Sequence, residues 1–243
     1  MKAIETFDLT KVYDGKIAVD SLNLSIDQGE LFALLGINGA GKTTTIKMLS
    51  CLITPTKGDA RILGDSVVSN SQSVKKKISL SPQEDAVAPN LTVKENLELI
   101  ARIYGFEKKE ARIKTEKMID LFNLEEVATS KSKTLSGGMK RRLSIAMALI
   151  PDPQVLFLDE PTLGVDVIAR RELWNIIKKL KRRITMILTT HYMEEAESLA
   201  DKIGIIVKGK LKAEGTAAQL MQLAGAQKFE DGFVKLATEE GAA

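Results

Sequence analysis

One cysteine, one histidine and one tryptophan occur in 243 residues, and aromatics make up 5% of the chain. A single thiol, Cys51, excludes an internal disulfide framework and fits a reducing compartment. No run reaches the roughly 18 consecutive apolar residues that cross a bilayer. Leu31–Leu35 and Val155–Leu158 are short and have charge nearby. The N-terminus, MKAIETFDLTKVYDG, alternates polar and apolar residues and lacks the apolar core of a secretory signal, so it is expected to stay on the protein. Work at a membrane then requires another chain to cross it. A dominant charge is missing too: 35 basic against 32 acidic residues leave a formal net charge of +3, far short of a nucleic-acid footprint. Neither an internal repeat nor a low-complexity tract is present. What remains, 44% hydrophobic and 28% charged, is ordinary globular composition with enough apolar residues for a sizeable core.

Hydropathy changes character along the chain. Within residues 1–30, Leu22-Asn23-Leu24-Ser25-Ile26-Asp27 alternates, as a sheet with one buried face does. Leu31–Leu35, Val155–Leu158 and Ile184–Leu188 are continuous, as parallel strands covered on both faces are. Helical patterns separate them: Thr43–Ile53 stops ahead of Pro55, and Val167–Leu180 sets Leu173, Ile177 and Leu180 on one stripe. Between about 84 and 150 the patterns Thr92–Tyr104, Ala111–Phe122 and Met139–Ile150 are helical, with hardly a strand among them. Ile203–Val207, Lys208-Gly209 and Lys210–Ala213 predict a hairpin with a two-residue turn. From Gly225 onward the signal weakens, and a loosely attached tail is expected. The basic clusters Lys75–Lys77, Lys140–Arg142 and Lys178–Arg183 are read as solvated helix faces, the last closing a helix where positive charge is favoured.

Gly36-Ile37-Asn38-Gly39-Ala40-Gly41-Lys42-Thr43 matches the phosphate-binding pattern G-x-x-x-x-G-K-[ST] and lies, as that pattern requires, between a buried strand and a helix. Glycines let backbone N–H groups converge on phosphate oxygens, and the helix N-terminus adds partial positive charge. Lys42 would reach the β/γ-phosphates, and the Thr43 hydroxyl would ligate Mg²⁺. A second site is predicted in Val155-Leu156-Phe157-Leu158-Asp159-Glu160, where a buried strand delivers two acids at its carboxyl end. On an extended chain the two side chains diverge. Asp159 can then hold Mg²⁺, directly or through water, while Glu160 polarises the water that attacks the γ-phosphate. Alone, a strand ending in Asp-Glu is weak, since acidic turns are common; beside the phosphate loop it defines a P-loop nucleotide hydrolase.

Leu135-Ser136-Gly137-Gly138-Met139 opens a helix shortly before the Asp159-Glu160 strand. A hydroxyl and two glycines at a helix N-terminus make a second phosphate site. Here the sequence closely resembles the ABC (ATP-binding cassette) transporter ATPases, whose signature is Leu-Ser-Gly-Gly-Gln, and the resemblance covers roughly residues 3–215 with the motifs in family order. It implies an α/β fold: a P-loop NTPase core with a mainly parallel sheet, an N-terminal antiparallel β subdomain and a helical subdomain inserted at about 84–150. Residues 1–225 would form a single ATPase domain and 226–243 a short C-terminal tail.

The resemblance also implies the site. Gly36, Asn38, Gly39, Ala40, Gly41, Lys42, Thr43 and Thr44 would cradle ATP, Tyr13 would stack on adenine, and Thr43, Asp159 and Gln83 would surround Mg²⁺. Glu160 would be catalytic together with Gln83, which senses the γ-phosphate site, and His191, the switch histidine. Ser136, Gly137, Gly138 and Asp166 would meet a second ATPase copy, in a head-to-tail homodimer or with a close paralogue. A membrane-spanning transporter subunit is the other implied partner, on the cytoplasmic face of the cell membrane, with no nucleic acid. Met139 in place of the signature glutamine, with Lys140-Arg141-Arg142 and Thr190-His191-Tyr192-Met193-Glu194-Glu195-Ala196, resembles the branch serving ABC-2 type exporters, including drug-resistance and sodium-efflux systems. Ile37 replaces the usual proline of the loop and Val165 a leucine, both minor changes. The alternative is a soluble ABC-type ATPase acting on nucleic acid or ribosomes. Its members carry long coiled coils or two cassettes, whereas this chain has neither sustained heptads nor a second set of motifs.

Overall fold

The computed structural model describes residues 1–84 and 86–238. Strand β1 (Lys2–Tyr13) turns through Asp14-Gly15, both at positive φ, into β2 (Lys16–Leu22), and the short β3 (Ser25–Asp27) follows. Strand β4 (Leu31–Leu35) leads into α1 (Lys42–Leu49), then β5 (Lys57–Ile62), β6 (Asp65–Ser66), α2 (Ser71–Lys75) and β7 (Ile78–Ser81). Helices α3 (Val93–Ile103), α4 (Lys108–Leu121) and α5 (Gly137–Leu149) fill the middle of the chain, with two single 3₁₀ turns between the last two. Then come β8 (Val155–Asp159), α6 (Val167–Leu180), β9 (Thr185–Thr190), α7 (Met193–Leu199), β10 (Lys202–Val207), β11 (Lys210–Gly215), α8 (Ala217–Leu223) and α9 (Phe229–Thr238).

Two sheets result. One is antiparallel, in the order β2-β1-β5-β6 with β3 also on β1; the other runs β11-β10-β4-β9-β8-β7 and is parallel apart from the β10–β11 hairpin. The hairpin turns on Lys208 and Gly209, both at positive φ, as a two-residue turn matched to the strand twist requires. The continuous apolar runs are explained by the central sheet having a core on each side. Along β4, Leu31, Ala33 and Leu35 enter the core beneath the helices, while Phe32 and Leu34 enter the core beneath the antiparallel sheet and α1. Leu156 and Leu158 of β8 enter the first, Val155 and Phe157 the second. Each large side chain so buried is worth about 1.5–3 kcal/mol, and polar residues within these strands are few.

Local chemistry sets the helix boundaries. Thr92 and Glu95 form a reciprocal capping box at the start of α3, and Ser136 and Asp166 cap α5 and α6 through their side chains. Helix α1 stops at Leu49 rather than running to Ile53. Cys51 takes a left-handed conformation (φ 57°), and the N–H groups of Cys51 and Leu52 close on the carbonyls of Met48 and Lys47. This is a Schellman ending with cysteine where glycine is usual.

The loosely attached tail is corrected over 229–238. Helix α9 packs on α7, α8, β10 and β11, and buries Phe229 and Phe233 in the core beneath the helices. The signal was weak because the segment holds only these two aromatic anchors, one helical turn apart. Residues 239–243 of the expected tail lie outside the described residues. Phe233→Ala is expected to lower stability by about 3–5 kcal/mol, a typical loss for a truncated core aromatic. A urea midpoint unchanged from the parent would show that α9 contributes nothing to the fold.

Candidate nucleotide site

The register of the parallel sheet puts the carboxyl ends of four strands side by side. Leu35 of β4 pairs with Thr190 of β9, Thr189 with Asp159 of β8, and Leu158 with Ser81 of β7. The loops leaving these strands carry the sequence-predicted groups. Asn38, Gly39, Ala40, Gly41, Lys42, Thr43, Thr44, Gln83, Glu160 and His191 line one cleft of about 350 Å³, with Ala18 and Leu163.

Two glycines of the loop are required by the fold itself. A Cβ on Gly36 would sit 2.4 Å from the Ile206 carbonyl oxygen, and one on Gly41 (φ +105°) would sit 2.4 Å from that of Ala18. The loop then delivers Lys42 into the interior, 4% exposed, where its ammonium donates to the Gly36 carbonyl (2.8 Å) and the Ile37 carbonyl (3.1 Å). Its third neighbour is Glu160 Oε1 at 3.4 Å. A buried ammonium surrounded by oxygens in this way can exchange one of them for a phosphate oxygen.

Asp159 and Glu160 are buried and diverge as expected, although not on an extended chain. Glu160 is held at φ 46°, a left-handed conformation costing roughly 1–2 kcal/mol for a residue with a Cβ. Its N–H donates to the Thr189 hydroxyl (3.0 Å) and carbonyl (3.1 Å). Asp159 Oδ1 accepts from the Thr43 hydroxyl (3.1 Å) and the Thr189 hydroxyl (2.5 Å). Glu160 Oε2 lies 3.0 Å from His191 Nδ1. Thr43 and Asp159 thus present hard oxygens to one point, the donor type Mg²⁺ takes. No cluster of three or more metal-ligating His, Cys, Asp or Glu occurs among the described residues, so a magnesium ion here would take its remaining ligands from phosphate and water. When bound, it would neutralise phosphate charge.

The other predicted residues fall outside the cleft. Tyr13, 42% exposed, ends β1 opposite Lys16 in the hairpin that brings Ala18 to the cleft. Ser136 and Gly137 are exposed at the start of α5, and Asp166 at the start of α6. Gly138 is packed there: a Cβ on it would lie 2.8 Å from the Ala169 Cβ of α6. A Cβ on Gly137 would meet nothing within 4 Å, so the fold does not demand glycine at that position.

Three participants escaped the sequence reading. Thr189 looks like an interior strand residue, yet its hydroxyl joins Asp159 to the Glu160 backbone. Arg141, assigned to a solvated cluster, is 3% exposed and bonds to the carbonyls of Asp159, Pro161, Pro82 and Gln83. The only available signal was its place on α5, facing inward with Ser144 and Ile145. Glu195 is fully buried on α7, and its Oε1 accepts from the Thr162 hydroxyl (2.9 Å) and the Trp174 indole (3.1 Å), tying the segment after His191 to the one before Asp166 and to α6. Alongside, the His191 and Tyr192 rings lie 4.1 Å apart, and the Arg170 guanidinium covers Tyr192 at 4.7 Å.

The description "ABC transporter" belongs to the family that matches residues 19–163. The chain belongs to the ABC transporter family. It is an ATP-binding subunit of that family and has the ATPase activity that goes with it. Among its relatives, the daunorubicin/doxorubicin resistance ATP-binding protein DrrA of Streptomyces peucetius is 43% identical over 225 residues, covering 92% of this chain and 68% of that protein. The Nod factor export ATP-binding protein I of Burkholderia pseudomallei is 42% identical over 220 residues, covering 90% of this chain and 72% of the other. A dimeric ATP-binding cassette solved in a post-hydrolysis state with ADP and Pi superposes with a TM-score of 0.80 at 27% identity, over 88% of this chain and 98% of that one.

Burial pushes the Glu195 carboxyl above its ordinary value of 4.5. Because the folded value lies above the unfolded one, the group's contribution to stability is most favourable below about pH 4.5 and declines as pH rises through the folded value. Glu195→Gln, which is neutral at every pH, should therefore gain stability relative to the parent on going from about pH 4.5 to about pH 8. Melting temperatures of both proteins measured across that range test this. A difference that does not grow with pH would mean the buried carboxyl carries no such cost.

Proposed function

We propose that this chain powers an exporter: two copies pack head to tail, closing on ATP and Mg²⁺ and opening after hydrolysis, and a separate membrane-spanning subunit carries the cargo. The observation that carries this reading is the division of the site. The phosphate loop, Glu160 and His191 converge on one cleft, while Ser136, Gly137 and Asp166 are exposed on other helix starts. Each chain then holds two half-sites, and Gly137, with open space about its Cα, suits a phosphate approaching from a second copy. Lys42, Thr43 and Asp159 hold the triphosphate and metal, Tyr13 the adenine, and Glu160 accepts a proton from the attacking water with His191 and Gln83 beside the γ-phosphate.

The chain is read as a single ATPase domain with residues of about 84–150 as its helical subdomain. No helix among the described residues is long and apolar enough to cross a membrane. The proposed place of work is the cytoplasmic face, where short helices of the membrane subunit dock beside Gln83. Supporting this, a groove of about 150 Å³ next to Gln83 is lined by Pro82, Ile100, Tyr104 and Ala148. Tyr104 is exposed there, and so is the neighbouring Ile103. The exporter direction rests on the drug-resistance and Nod factor export relatives.

Glu160→Gln keeps the size of the side chain and removes its basicity. Turnover should fall by about 10²–10⁴ while ATP still binds. Sizing chromatography with ATP and Mg²⁺ should show a dimer that the parent does not accumulate, and Lys42→Ala should abolish both binding and dimer. Near-parental hydrolysis by Glu160→Gln would remove this residue from the catalytic role.

A further inference from the structure

Arg141 bonds the backbone carbonyls of two segments at the edge of the site. It lies about one and a half turns, roughly 7.5 Å along the axis, from Ser136 on the same helix. Its Nη2 donates to the Asp159 carbonyl (2.8 Å) and its Nε to the Pro161 carbonyl (2.9 Å). Its Nη1 donates to the carbonyls of Pro82 and of Gln83 (3.4 Å). Three of these carbonyls, those of Pro82, Gln83 and Pro161, lie just past the ends of β7 and β8, and a buried carbonyl left unbonded costs about 1–3 kcal/mol. Close by, the buried hydroxyls of Ser81 and Ser144 meet at 3.2 Å, a second polar tie between β7 and α5.

We propose that Arg141 is a positioning residue: its guanidinium fixes the signature helix α5, the Gln83 loop and the Asp159-Glu160 strand end in one relation. Engagement of Ser136 by a second copy is thereby transmitted to Glu160 and Gln83. The proposal rests on the two-copy reading above. A planar fork with five N–H donors can bridge three separate segments at once, whereas a lysine ammonium, a single point on a flexible stem, cannot. Arg141 is not among the residues that line the cleft. Its removal should therefore spare ground-state binding and harm the step that needs all three segments aligned.

The test compares Arg141→Gln and Arg141→Lys with the parent, each also placed in the Glu160→Gln background. Both variants should bind a fluorescent ATP analogue with an affinity within about twofold of the parent and keep KM within about twofold, while kcat falls about tenfold or more. Lysine should restore only a small part of that loss. In the Glu160→Gln background, the ATP concentration that half-forms the dimer should rise about tenfold. Wild-type kcat in a folded Arg141→Gln protein would overturn the proposal. So would full rescue by lysine, or loss of fold in both variants, which would leave Arg141 a stabilising residue alone. A Glu160→Gln parent that formed no dimer would count against the two-copy reading, and the kcat and KM comparison would still decide the role of Arg141.

Discussion

Parallel pairing of β4, β9 and β8 is the constraint on which the site depends. Strands paired this way all point their carboxyl ends to one edge, and the cores on both faces favour apolar side chains along them. The phosphate loop, the two acids, Gln83 and His191 are therefore neighbours in space while lying far apart in sequence. A one-residue slip of β8 against β9 would move Asp159 away from Thr189 and Thr43 and turn its side chain to the other face.

Within that frame, charge is placed by backbone groups as much as by opposite charges. Lys42 sits among the carbonyls of its own loop, and Arg141 among the carbonyls where two strands end. Such carbonyls attract a cation without themselves titrating. The helical insert joins the core through the same device, since α5 carries both Arg141 and the exposed Ser136.

Legibility followed sequence locality. The phosphate loop, the Asp-Glu strand end and the Ser136 cap are each contiguous, with spacing set by a strand, a turn or a helix start, and so were readable. The doubly buried strands were readable because two cores leave room for few polar residues. The hairpin at Lys208-Gly209 was readable from its two-residue turn. Thr189, Arg141 and Glu195 were not, because each acquires its role from partners about 18 to 60 residues away, and only the completed sheet brings these together. Helix α9 was missed for a related reason: two phenylalanines give little periodic signal, and what they cover, α7 and β10, is decided elsewhere in the chain.

The left-handed backbone at Glu160 has a consequence for anyone improving this protein. Glycine or asparagine would relieve the conformation there, and a selection for thermal tolerance alone would favour such replacements. Those clones would be the hardiest and would have lost the carboxylate proposed to activate water. Here endurance and turnover compete for one residue, so selection for robustness has to be run with transport as its readout.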